Sequence, residues 1–202
     1  MLTSLPNLLT LSRIAVIPVV IATFYLSGDY AHWFACVLFS AAGVTDYLDG
    51  HFARAWKQQS ELGRFLDPIA DKLLVAATLF MLAATQRISV SAVFPALVIL
   101  IREILVSGLR EYLAGLRVGV PVSRLAKWKT TIQMVAIGFL LVGDAGPEII
   151  PVPLIGEFLL WIAALLTIIT GYDYIRAGAP HMNAAPTPSP RRPEPAKPSR
   201  VL

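Results

Sequence analysis

Four aspartates, Asp46, Asp49, Asp67 and Asp71, are the residues of this chain best suited to chemistry. Asp46 and Asp49 are three apart and Asp67 and Asp71 four apart, so on helices each pair shares a face. If the two helices are antiparallel neighbours joined by a turn near Ser60 to Gly63, the faces meet. Converging carboxylates repel one another, and a hard divalent cation with oxygen ligands resolves that cost. No Cys or His cluster accompanies them, which argues against zinc. Carboxylates beside a phosphate substrate favour Mg²⁺ or Mn²⁺, and two ions shared among such groups serve phosphoryl transfer elsewhere. Between the pairs, Gly50 and Ala53 lie on the side of Asp46 and Asp49. Lacking bulk, they admit either a flat nucleotide or close helix packing. Arg54 offers a fork for a pyrophosphate or a membrane-interface anchor, and Gly63 is placed to open the turn before the second pair.

These groups need a scaffold, and the composition says which kind. The chain has 202 residues, 56% hydrophobic and only 15% charged. The apolar residues come in runs long enough to cross a bilayer. Six spans are expected, near residues 7–26, 31–56, 66–84, 90–112, 123–142 and 153–175, the first kinked by Pro18. An all-α six-helix membrane bundle of residues 1–176 follows, with short loops that make successive helices antiparallel. Arg54, Lys57, Arg64, Arg117, Arg124, Lys127 and Arg176 fall on one side, and of the basic residues only Arg87 falls on the other. That asymmetry puts both termini and the aspartates at the cytoplasmic side. The net charge of +4 then reflects loops beside anionic lipid, and no nucleic-acid partner is expected. Met1 to Pro6 lacks the pattern of a signal peptide. Residues 177–202, rich in Pro, Ala, Ser and Arg, cannot bury a core and are expected to be disordered. Cys36 reads as a small buried hydrophobe.

The aspartate set resembles the signature of the CDP-alcohol phosphatidyltransferase family: Asp46, Asp49-Gly50, Ala53-Arg54, eight residues, Gly63, Asp67 and Asp71. The opening PNLLTLSR, with Asn7, Thr10 and Arg13, is similar to the family's segment beside the CDP-lipid. DPIADK from Asp67, REILVSGLREYLA from Arg102 and KWKTTIQM from Lys127 look like the bacterial branch that uses sn-glycerol 3-phosphate. Ala126 departs from the Gly expected before the Lys-x-Lys-Thr run. The resemblance implies transfer of a phosphatidyl group from CDP-diacylglycerol to that alcohol, giving phosphatidylglycerol phosphate and CMP. It implies Asp71 as general base, a bacterial plasma-membrane location and a homodimer. It also implies donor contacts at Asn7, Thr10, Arg13, Asp49, Gly50, Ala53, Arg54 and Gly63.

The acceptor has a physical side as well. Arg102, Arg110, Arg124, Lys127 and Lys129 approach the cytoplasmic end of spans four and five, and a phosphorylated acceptor needs cationic partners. Singly, each is more often a snorkelling anchor. Arg102, inside an apolar helix, is expected to face the bundle interior, with Glu103 neutralising a neighbouring Arg. Arg102, Arg110, Lys127 and Lys129 are taken as the acceptor-phosphate set. His32, His51 and His181 read as structural or solvated, Gln133 as a hydrogen-bonding group inside the bundle and Asp173 as a partner for an Arg. Sibling acceptors, inositol phosphate foremost, are the nearest rival. A divalent-cation transporter is a distant one, because the outer halves of the spans are almost wholly apolar.

Overall fold

The computed structural model describes residues 5–56, 61–116 and 124–182. Their regular structure is helical: α1 (Leu5–Thr23), α2 (Asp29–Trp56), α3 (Glu61–Ala84), α4 (Val90–Gly115), α5 (Arg124–Val142) and α6 (Val152–Met182), with one 3₁₀ turn at Gly143–Ala145. The hydrophobic runs dictate these elements, and the breaks between them have local causes. Thr23 and the amides of Phe24 and Tyr25 close the end of α1 before Gly28, whose φ of 98° suits only glycine. At the end of α3 the amides of Gln86 and Arg87 bond back to Ala83 and Leu82, a Schellman turn with Gln86 in the left-handed region at φ 56°. Ser89 then caps α4 through the amide of Ala92.

Two boundaries differ most from those expected. Helix α3 starts at Glu61, so Gly63 sits in its first turn and not in the connection before it. An acidic first residue suits the positive end of the helix dipole. Helix α6 runs to Met182, past the expected change at residue 177. The cause is packing: a Cβ at Gly178 would lie 3.2 Å from Leu109 and from Leu113, so glycine lets α6 continue along α4. Residues 183–202 lie outside the described residues.

The helices form a ring in which chain neighbours are often not packing neighbours. α1 packs on both α2 and α3, α6 packs on both α4 and α5, and the pairs α2–α5 and α3–α4 close the circle. Among the described residues α2 touches α3 little, and α1 packs on both; the turns where the two aspartate faces were expected to meet have side chains outside the described residues. Close approaches fix the directions. A Cβ at Gly156 would stand 2.8 Å from Leu140, pairing the start of α6 with the end of α5. Gly171 lies against Arg102 as Gly178 does against Leu109, so α4 and α6 run parallel.

Inside the ring Val20, Phe39, Leu74, Leu82, Ile99, Ile137, Leu140 and Leu160 are buried almost completely. Outside it Phe80, Phe94, Ile104, Leu154, Phe158 and Leu165 are exposed. The stretches Val90–Gly115, Arg124–Ala145 and Val152–Pro180 are long and apolar enough to cross a membrane, yet only 28, 39 and 33% of their most apolar windows is buried. An apolar exterior of that extent needs lipid as its solvent, so the protein is a membrane protein. Thr45, Thr78, Thr85, Thr130, Thr131 and Thr170 return their hydroxyls to a carbonyl four residues back, which satisfies them without water.

Candidate active site

One end of the ring is knitted together by polar contacts between connections. His32 meets the Val142 carbonyl at 3.0 Å, and the Trp33 indole donates to Ala145 at 3.1 Å. The Glu157 carboxylate accepts from the Ser89 amide and hydroxyl at 2.6 and 2.8 Å. The Arg87 guanidinium lies 4.7 Å above the Phe24 ring. Burial lowers its pKa, opposed by the field of Asp144.

The opposite end differs, for there α3, α4, α5 and α6 bring charges together. Asp71 on α3 is half-buried, and the next residue, Lys72, folds back to donate to the Pro68 carbonyl at 2.9 Å. Across the ring, Lys129 on α5 has a side chain only 4% exposed and donates to Glu103 Oε1 on α4. The same Oε1 accepts from Arg102 Nη1 at 3.3 Å. Arg102 Nη2 donates to Thr170 Oγ1 on α6 at 2.9 Å, and its guanidinium lies 5.8 Å from the Tyr174 ring centre. Lys129 lies within electrostatic reach of Arg102, Asp71 and Lys72, and Lys72 within reach of Arg110 and Glu111. Among the described residues Arg102 Nε, Gln133 Oε1 and Thr167 Oγ1 are buried polar atoms without a hydrogen-bond partner.

A groove of about 830 Å³ leads to this charged end. It runs between α2 and α5 from Trp33, Val142 and Pro147, past Cys36, Phe39, Gly138 and Met134, to Thr130, Thr131 and Asp71. It is therefore apolar along its length and polar where Asp71 stands. A molecule with a long apolar part and an ionic head fits that gradient.

Of the acceptor-phosphate set, Arg102 and Lys129 come together through Glu103. Arg110 is exposed, within electrostatic reach of Arg102 and Lys72. Lys127 is exposed too, and two positions from Lys129 it points away from that residue's face. Thr10 and Arg13 are both buried on α1. Asp46, Asp49, Gly50, Ala53 and Arg54 lie on α2, Gly63 and Asp67 on α3 and Asn7 on α1, but their side chains, like those of His51 and His181, fall outside the described residues. Among the described residues no cluster of three metal-ligating side chains occurs, because Asp71 alone of the aspartate set is among them. Asp173 is exposed.

Thr170, Gly171 and Tyr174 were not singled out from the sequence. Their signal is legible in retrospect: Thr167, Thr170, Gly171, Tyr174 and Gly178 recur at helical spacing in an otherwise aliphatic helix, and all are buried.

Residues 3–169 match the family model for CDP-alcohol phosphatidyltransferase, and the chain belongs to that family. Particular relatives sharpen the comparison. The chain is 51% identical to the CDP-diacylglycerol–glycerol-3-phosphate 3-phosphatidyltransferase of Rickettsia bellii, over 86% of this chain and 94% of that one. It is 38% identical to the protein of the same name from Cereibacter sphaeroides, over 89% and 97%. Its fold is similar to the apo crystal structure of Mycobacterium tuberculosis phosphatidylinositol phosphate synthase, with a TM-score of 0.65 at 17% identity, covering 87% of this chain and 90% of that one.

Proposed function

We propose that the protein transfers the phosphatidyl group of CDP-diacylglycerol to sn-glycerol 3-phosphate, releasing CMP and forming phosphatidylglycerol phosphate. The observation that carries this reading is the pair of inward cations, Arg102 and Lys129, on the ring wall near Asp71. A phosphate on the acceptor gives such cations an anionic partner beyond the single carboxylate of Glu103, which a neutral alcohol does not. The relatives that bear this activity in their names match nearly the whole chain.

The groove between α2 and α5 receives acyl chain while the CDP head meets the aspartates. Thr10 and Arg13, with Asn7, Asp49, Gly50, Ala53, Arg54 and Gly63, attend the donor. Asp71 accepts the proton of the acceptor's 1-hydroxyl as its oxygen bonds to the β-phosphorus and the bond to CMP breaks. Arg102 and Lys129 hold the acceptor's phosphate, with Arg110 at the entrance. Lys127, on another face, adds long-range attraction only. The all-carboxylate set Asp46, Asp49, Asp67 and Asp71 suits hard divalent ions, Mg²⁺ or Mn²⁺. Held by these aspartates, such ions would supply positive charge to offset that of the pyrophosphate and of the CMP leaving group.

All six helices span the membrane in this reading. Both termini and the site lie at the cytoplasmic face of a bacterial plasma membrane, and the protein works as a homodimer. The gathering of the α1–α2, α3–α4 and α5–α6 connections at the other end supports that orientation.

The test is product formation by the purified protein with CDP-diacylglycerol, Mg²⁺ and a panel of acceptors: glycerol 3-phosphate, inositol phosphate, inositol, serine and phosphatidylglycerol. Phosphatidylglycerol phosphate is the expected product. Preference for inositol phosphate would replace the acceptor, and near-wild-type turnover by Asp71→Asn would remove the base.

A further inference from the structure

Glu103 stands where an incoming anion is needed. One of its oxygens accepts hydrogen bonds from both Lys129 and Arg102, as a single phosphate oxygen would. The cations are anchored from other directions. Thr170 holds Arg102 from α6, Gly171 is in contact with its stem, and Lys129 is enclosed along α5. Glu103 is the least enclosed of the three, its side chain 20% exposed against 14% for Arg102 and 4% for Lys129. Among the described residues its side-chain hydrogen bonds go to these two cations alone. The carboxylate is thus the most accessible member of the cluster, set against two more enclosed cations.

The arrangement has an energetic logic. Two buried cations without an anion would be costly, so the empty site needs a resident counter-ion. A phosphate monoester brings more charge and more acceptor oxygens than a carboxylate, and it can take both cations over. A neutral hydroxyl cannot compensate for displacing Glu103, so the resident carboxylate disfavours unphosphorylated alcohols. Discrimination of that kind comes from a cost imposed on the wrong ligand.

We infer that Glu103 is a specificity-determining placeholder: it neutralises Arg102 and Lys129 in the empty site and yields them to the phosphate of the acceptor. The inference rests on the phosphorylated-acceptor reading above and adds the residue that enforces it.

The experiment measures inorganic phosphate as a competitive inhibitor, together with the KM for glycerol 3-phosphate, in the full-length protein in nanodiscs. Glu103→Gln keeps the shape and removes the competing charge. Its inhibition constant for phosphate should fall about tenfold, equivalent to about 1.4 kcal/mol, and the KM should fall with it. Glu103→Asp keeps the charge on a stem too short to span both cations, and it should shift both constants the same way by a smaller factor. This second variant decides the matter if the first does not fold. Were Glu103 only a brace for Lys129, both constants would rise or stay put, and that result overturns the inference while leaving the acceptor intact. Wild-type protein that turns over only an unphosphorylated alcohol would overturn the acceptor reading and this inference together.

Discussion

Thr170→Val asks whether α6 positions the acceptor's phosphate. The substitution keeps a β-branched side chain of nearly the same volume and removes the hydroxyl that accepts from Arg102 Nη2 at 2.9 Å. The same hydroxyl is turned to the Leu166 carbonyl at 2.8 Å, so it serves as a relay between helix backbone and guanidinium. Hydrogen bonds to charged groups are worth about 1.5–3 kcal/mol. Arg102 retains 14% exposure of its side chain, so water can replace part of the loss and the low end of that range applies. A loss of about 1.4 kcal/mol is a tenfold change in an equilibrium constant. The KM for glycerol 3-phosphate should therefore rise about tenfold. The cost should fall on KM more than on kcat if Arg102, as proposed, holds the acceptor's phosphate and not the reacting oxygen. Thr170→Ser, which restores a hydroxyl, should recover most of the loss. The assay is initial-rate kinetics in mixed micelles with varied glycerol 3-phosphate at saturating donor, paired with thermal unfolding of the same preparations. A lowered melting temperature with an unaltered KM would show that Thr170 serves packing alone and would refute the reasoning.

The remaining predictions concern the frame and the groove. Gly156→Val places its Cβ 2.8 Å from Leu140 and 3.1 Å from that residue's backbone nitrogen, where no flexible end can yield. It should prise α5 from α6 and cost about 1–3 kcal/mol of stability, read as a lower unfolding midpoint in detergent. Gly138→Phe fills the middle of the α2–α5 groove, where the first side-chain atom met is Cys36 Sγ at 3.9 Å. Turnover of a long-chain CDP-diacylglycerol should fall several-fold while a short-chain analogue is spared; equal losses on both would detach the groove from the acyl chain. Gln86→Gly relieves a left-handed backbone at φ 56° that costs a non-glycine residue roughly 1 kcal/mol, and it should raise the unfolding midpoint.

Much of this molecule is legible in its residues because a bilayer narrows the choices: an apolar run must be a helix, and charge must gather at the ends. Five of the six helices begin within two residues of where the hydrophobic runs place them, and α4 and α5 need almost no revision. What the runs do not encode is which helix lies beside which. The short connection between α2 and α3 suggests that they pack along each other, but among the described residues it is α1 that lies against both. Pairing in lipid is decided by where small residues allow backbones to meet, as at Gly156 and Gly171, and that is a property of two helices at once. The same limit explains the partial reading of the charged end. Arg102 announces itself as a charge in an apolar helix. Glu103, its neighbour in sequence, reads as a neutralising partner, whereas Thr170 looks ordinary until the fold sets it beside Arg102.

Helix α6 is apolar around nearly its whole circumference, and alone it reads as a membrane anchor with no chemical role. Its contribution comes from what it omits. Gly171 leaves room for the Arg102 stem, and Gly178 lets the lower turns of α4 close in around Leu109 and Leu113. Arg102 can therefore lie along α6 instead of snorkelling outward, and its guanidinium reaches Thr170 and Glu103. An arginine held this way has spent its conformational freedom before any ligand arrives, and preorganisation of that kind raises affinity without a new contact. The aspartates and the groove sit on α2, α3 and α5, while the cations proposed to select the acceptor are held by α4, α5 and α6.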